Sequence, residues 1–159
     1  MYKLSINLLL INTTKEMVRY FIFFKIIFLI IAIYISACSK EESQIPYVPV
    51  NITLYVSDPQ FVNLNAVTGW TYLTGGSRGI LVYRRSNDEF MAYDRHCTYQ
   101  PEDPCGVIEV EQSGSFTAID SCCGSKFLIT DGSVNAGPAR QPLKQYQTDY
   151  DGTRLLIYN

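Results

Sequence analysis

Histidine is almost missing from this chain: His96 is the single one among 159 residues. Chemistry that needs two imidazoles has no second ring to draw on. A Ser-His-Asp relay has little support either, since His96 is flanked directly by Arg95 and Cys97. A membrane-spanning run is lacking too. The apolar stretch Ile26–Ala37 holds 12 residues, about 18 Å as a helix at ~1.5 Å per residue, against a bilayer core of roughly 30 Å. From Cys38 onward, sustained helical periodicity, internal repeats and low-complexity tracts are all absent. Basic excess is absent as well: after residue 37, 9 Lys/Arg stand against 14 Asp/Glu, a formal charge of −5. Such a chain has no means of releasing phosphate counterions, which argues against nucleic acid as a partner. Gly75-Gly76 is read as a turn, because no lysine and helix follow it at the spacing of a phosphate-binding loop.

What is present divides sharply at Cys38. Residues Met17–Ala37 run from Arg19 and Lys25 through the apolar stretch to small residues, the order of a signal peptide, with Met17 the more plausible start. Ile35-Ser36-Ala37-Cys38 resembles a lipobox, which implies cleavage before Cys38 and acylation of that cysteine. A lipid anchor holds a domain at a membrane through buried CH₂ groups worth ~0.8 kcal/mol each. Ser39-Lys40-Glu41-Glu42 resembles the acidic export signal that some bacteria place behind an acylated cysteine; a solvated tether is the plainer reading. The expected organisation is therefore a lipoprotein-type signal peptide over 1–37, a lipidated tether over 38–50 punctuated by Pro46 and Pro49, and one folded domain over 51–159.

Within that domain, short runs rich in Val, Ile, Tyr, Phe and Thr are separated by turn formers. Strands are predicted over Asn51–Val56, Gly69–Leu73, Gly79–Arg85, Glu89–Asp94, Val107–Val110, Phe116–Ile119, Leu143–Asp149 and Thr153–Tyr158, with Asp151-Gly152 as a hairpin turn. Spacing of this kind predicts an all-β sandwich or double sheet. Trp70 and the many tyrosines read as core and sheet-face residues.

Apart from Cys38, all cysteines fall in a window of 27 residues: Cys97, Cys105, Cys122 and Cys123. In a short exported chain, cysteines at this density point to disulfides. The surrounding segments read AYDRHCTYQPEDPC, AIDSCCGSKF and DGSVNAGPARQPLKQY. Together they resemble a Rieske domain, whose two cluster loops carry Cys-x-His followed by a cysteine, and Cys-x-Cys-His-Gly-Ser-x-Phe. Gly124-Ser125-Lys126-Phe127 matches the end of the second loop, and Gly137-Pro138 matches the proline pair of a third loop. The resemblance covers roughly 78–159.

It implies a small Rieske-like β-sandwich with two cysteine-bearing loops, and it also places the ligands. Cys97 stands at the first thiolate position, Tyr99 at the first histidine position, Asp120 at the second thiolate position and Cys123 at the second histidine position. A Rieske cluster needs two thiolates on one iron and two imidazoles on the other, so the ligand set is degenerate. No cofactor and no metal are expected, with a [2Fe-2S] cluster on atypical ligands as the alternative. Zinc has little support, because adjacent cysteines do not match the usual C-x₂₋₄-C spacing. Cys105 and Cys122 stand where the family carries a disulfide, which leaves Cys97 and Cys123 to form a second bridge in place of the metal. The alternative that pairs Cys97 with Cys105 is poorer, because it leaves only neighbouring Cys122 and Cys123, whose joining is strained.

Three functional expectations follow. The first is a non-enzymatic accessory or interaction lipoprotein of the cell envelope, at the outer membrane, with an outer-membrane protein complex as partner. The second is an electron-transfer component. The third is thiol–disulfide chemistry at Cys97 and Cys123. Metabolic labelling with a palmitate analogue tests the anchor: the chain takes up label and fractionates with membranes, and Cys38→Ser abolishes both. Equal labelling of the variant contradicts the lipobox reading.

Overall fold

The computed structural model describes Phe24, Lys25, Ile27, residues 45–112 and residues 114–159. Apart from those three residues, the expected signal peptide lies outside the described residues, as do Cys38 and most of the expected tether. The chain divides into two units, Met1–Glu42 and Ser43–Asn159. Of the first, Phe24, Lys25 and Ile27 are helical and exposed. Among the described residues, no helix is long and apolar enough to cross a membrane.

The second unit is all-β, as expected. Its strands are β1 Asn51–Tyr55, β2 Trp70–Leu73, β3 Ile80–Arg84, β4 Phe90–Asp94, β5 Ile108–Val110, β6 Thr117–Asp120, β7 Lys126–Leu128, β8 Val134–Ala136, β9 Gln145–Tyr150 and β10 Arg154–Tyr158, with a 3-10 helix over Pro59–Asn65. Two antiparallel sheets result, one of six strands in the order β1-β10-β9-β4-β3-β2 and one of four in the order β5-β6-β7-β8. Eight strands fall where alternation and turn residues predict them. Strands β7 and β8, of three residues each, and the 3-10 helix are additions.

Strand parity explains the two-core architecture. Because successive side chains leave a strand on opposite sides, β3 and β4 supply both cores at once. Ile80, Val82, Phe90 and Ala92 join Leu54, Leu64, Tyr146, Leu155 and Ile157 in one cluster. Leu81, Tyr83, Met91 and Tyr93 join Ile108, Ala118, Phe127, Ile129 and Leu143 in the other. This double burial is why Ile80-Leu81-Val82-Tyr83 reads as an unbroken apolar run. Burial of each large aliphatic side chain stabilises the fold by about 1.5–3 kcal/mol relative to exposure.

The tether's last residues dock on the domain. Val50 is buried and its N–H donates to Asn159 Oδ1 at 3.0 Å, while Asn159 Nδ2 donates to Val48 O at 2.9 Å and Lys144 Nζ to Pro46 O at 3.2 Å. The ordered domain thus takes in residues 46–50 ahead of the boundary expected at 51. Apolar Val48 and Val50 lie between the two prolines and just past them, where proline punctuation masked them.

At the end of β4 sits a fully buried carboxylate. Asp94 Oδ2 accepts from Ser77 N at 2.7 Å and from the Tyr146 hydroxyl at 2.6 Å; Oδ1 accepts from His96 N at 2.9 Å and from Arg78 N at 3.2 Å. Burial and the neighbouring Asp94 charge push the Tyr146 hydroxyl well above the usual phenol range, so it stays a donor. Gly76 makes the approach feasible, since at φ +62° a Cβ there would lie 2.5 Å from the Tyr146 hydroxyl. Tyr146→Phe removes one donor from a carboxylate sealed off from water. It is expected to cost about 1.5–3 kcal/mol, read as a lower urea midpoint with unchanged slope. An unaltered midpoint contradicts the role given to Asp94.

Candidate functional site

Three loops meet at one end of the smaller sheet. The first leaves β4 and runs from Arg95 to Val107; the second is the β6–β7 hairpin turn at 121–124; the third follows β8 and carries the cis Gly137-Pro138 bond. In the second loop Gly124 N donates to Asp120 O at 2.8 Å, and Asp120 N to Ser125 O at 2.9 Å. Gly124 takes φ +79°, a conformation that glycine enters without strain. This closes the turn and folds Cys123 back over Asp120.

The loops are tied together in three ways. A disulfide joins Cys105 to Cys122 across the first and second loops, the pairing that the resemblance implied. Ser125 Oγ accepts from Ala139 N at 2.9 Å, linking the second loop to the third, and Thr98 Oγ1 donates to Gln141 O at 2.7 Å, linking the first to the third. Ser125 entered the sequence reading only as part of a matching tetrapeptide. Its place between Cys123 and the third loop was not anticipated.

Beneath the disulfide lie the residues at the ligand positions. The Cys97 and Cys123 sulfurs are 3.8 Å apart and unbonded. The second bridge expected between them is therefore not formed in this structure, a separation well beyond the ~2.05 Å of a sulfur–sulfur bond. Cys123 Sγ lies 3.2 Å from Asp120 Oδ2, to which its one S–H donates, and 3.0 Å from the Ser125 hydroxyl. Asp120 Oδ1 accepts from Cys122 N at 2.8 Å. The ligating atoms of Cys97, Asp120 and Cys123 all lie within 4.8 Å of one another. Cys97 and Asp120 are buried, and Cys123 is half-buried. Burial, reinforced by the Asp120 carboxylate, pushes the Cys97 thiol far above its usual range, while a backbone N–H bond from Tyr99 acts the other way.

Tyr99 gives that backbone N–H to Cys97 Sγ at 3.5 Å, and it packs half-buried against the second core. A second group, Asp103, Cys105 and Cys122, lies at the exposed tip. Its sulfurs are already committed to the disulfide.

His96 points elsewhere. Strand parity puts it on the Asp94 side and Cys97 on the other. Its Nε2 lies 2.8 Å from Pro101 O, and because a carbonyl can only accept, Nε2 carries the proton. Nδ1, 2.8 Å from Ser77 Oγ, then accepts from the hydroxyl. Burial holds the imidazole below its ordinary pKa, aided by Arg78, against the raising effect of the Pro101 carbonyl. Arg78 itself donates to Gly106 O at 2.9 Å and Pro101 O at 3.3 Å, which clamps the same loop.

These donors do not match a Rieske [2Fe-2S] centre. Two sulfurs and one carboxylate converge, the single imidazole has both nitrogens occupied on the opposite face, and no second imidazole exists in the sequence. The residues do not supply the two-thiolate, two-imidazole set that such a centre uses.

No protein-family model matches the chain, and no curated protein matches it. Among solved structures, it is similar to the crystal structure of the cyanobacterial plasma membrane Rieske protein PetC3 from Synechocystis PCC 6803. The identity is 22%, the match covers 65% of this chain and 97% of that one, and the TM-score is 0.49. Two sheets, two cysteine loops joined by a disulfide and a Gly-Pro loop packed beside them are the features that the sequence resemblance implied.

The disulfide closes a loop of 17 residues, which stabilises the fold by about 3 kcal/mol in the chain-entropy model. The double variant Cys105→Ser, Cys122→Ser is expected to lose that amount in a guanidinium titration. A loss below about 0.5 kcal/mol contradicts the stapling role.

Proposed function

We propose that this chain is an exported lipoprotein, held at the outer membrane through acylated Cys38, whose Rieske-like domain has lost the Rieske cluster and serves as a non-enzymatic interaction module. The observation that carries the reading is the ligand-position set. Where the Rieske family needs four donors in a two-sulfur, two-nitrogen arrangement, this chain offers Cys97, Tyr99, Asp120 and Cys123, and its one histidine is spent on Ser77 and Pro101. An electron carrier of the family type depends on imidazole ligands to set a high potential.

The surface left for a partner is the stapled tip. Gln100, Glu102, Pro104, Cys105, Ser121 and Cys122 are exposed there. The disulfide holds them without a metal, so the tip presents a pre-organised surface that loses little entropy on docking. The acidic segment Glu41-Glu42 and the lipobox at Cys38 support the envelope location. A component of a membrane protein complex is the partner class that a lipid-tethered tip of this kind would meet.

Iron and acid-labile sulfide, measured on the full-length chain purified anaerobically in detergent, test the reading. A colourless protein with neither is expected. Stoichiometric iron and sulfide with visible absorption would falsify the cluster's loss and support an electron carrier on atypical ligands.

A further inference from the structure

The convergence of Cys97, Asp120 and Cys123 has a geometry of its own. In a tetrahedral thiolate site with metal–sulfur bonds of about 2.3 Å, two sulfurs on one ion stand ~3.8 Å apart, and a sulfur and a carboxylate oxygen stand ~3.5 Å apart. The chain holds its two sulfurs at 3.8 Å and Cys123 Sγ at 3.2 Å from Asp120 Oδ2. Two edges of the donor triangle thus lie near the tetrahedral values, and the third, from Cys97 Sγ to the Asp120 carboxylate, is within 4.8 Å.

A second feature points the same way. Each sulfur receives a backbone N–H: Tyr99 N on Cys97 Sγ at 3.5 Å, and Ser125 N on Cys123 Sγ at 3.4 Å. The third donor is oriented too, because Cys122 N holds Asp120 Oδ1 and leaves Oδ2 aimed at the sulfurs. Outer-shell bonds of this sort orient metal ligands and favour the charged form of sulfur. The site's opening is on the side of Cys123, the one half-exposed member.

We infer that Cys97, Asp120 and Cys123 form a mononuclear site for a single borderline-soft divalent cation of the Zn²⁺ class, with the fourth corner left to water or an outside ligand. Two thiolates select such a cation over hard Mg²⁺ or Ca²⁺, and the carboxylate favours Zn²⁺ over Cu⁺. Binding forms two metal–sulfur bonds and one metal–oxygen bond, releases the two thiol protons to solvent and changes no oxidation state. Two thiolates and a carboxylate then leave the site at −1 with the cation bound. The inference rests on the Rieske cluster being absent, since one small cation and a two-iron cluster cannot share these sulfurs.

Cobalt(II), added to the full-length chain purified anaerobically in detergent, is the probe. One Co²⁺ per chain is expected, with a thiolate-to-cobalt charge-transfer band and the intense visible bands of tetrahedral cobalt, both removed by added Zn²⁺. Asp120→Asn keeps the carbonyl that caps Cys122 N, so the loop is retained. It is expected to weaken Co²⁺ binding by more than the ~10–100-fold that outer-shell changes cost. Cys97→Ser and Cys123→Ser each abolish the charge-transfer band, whereas the Cys105→Ser, Cys122→Ser variant keeps it. The inference is overturned if the two thiols are titratable but give no cobalt spectrum, or if they are found bridged to each other. Two irons with two acid-labile sulfides per chain would overturn the function proposed above and this inference with it, whereas free thiols without a cobalt spectrum overturn the inference alone.

Discussion

Asp94 decides where everything at the loop end of this domain can go. It is sealed at the end of β4 with four donors on its two oxygens, one of them the N–H of His96. A buried carboxylate satisfied this fully is costly to disturb, because loss of any partner leaves a charged group unpaired away from water. The extended path it imposes continues the strand's alternation past β4. His96 therefore turns toward Ser77 and Pro101, and Cys97 turns into the second core. That one parity relation sets the chemistry of the site: the only imidazole lies on one face and the sulfurs on the other.

The second constraint is the Cys105–Cys122 disulfide. It holds two loops that would otherwise pay separate ordering costs, and the third loop adds hydrogen bonds through Ser125 and Thr98. Under this staple Cys97, Asp120 and Cys123 share a small, largely buried space. The disulfide and these hydrogen bonds connect all three loops of the tip.

The sequence made much of this legible, for physical reasons that can be named. Seven of the eight expected strands are four or more residues of alternation or double burial between turn formers, and the eighth, Ile108–Val110, lies within the longer run Val107–Val110. Lys126–Leu128 and Val134–Ala136 were not predicted, since each strand is only three residues long and is set among the turn formers Gly124, Asp131-Gly132 and Gly137. Leu64 of the 3-10 helix fills the first core without any helical pattern around it. The Rieske-like loops were recognisable from Gly124-Ser125 and Gly137-Pro138, and the Cys105–Cys122 pairing came with them. The Cys97–Cys123 bridge was expected because a vacated site seemed to need a staple. In the structure the loops are already held by other means, and the pair stands 3.8 Å apart.

The state of the one histidine tests the account most directly, and its uniqueness makes the measurement unambiguous. Nitrogen-15 NMR of the histidine-labelled chain at neutral pH is predicted to show a neutral ring with two well-separated nitrogen resonances and a slowly exchanging proton on Nε2. A ring nitrogen shifted or broadened by iron, or a ring protonated on both nitrogens at that pH, would contradict it.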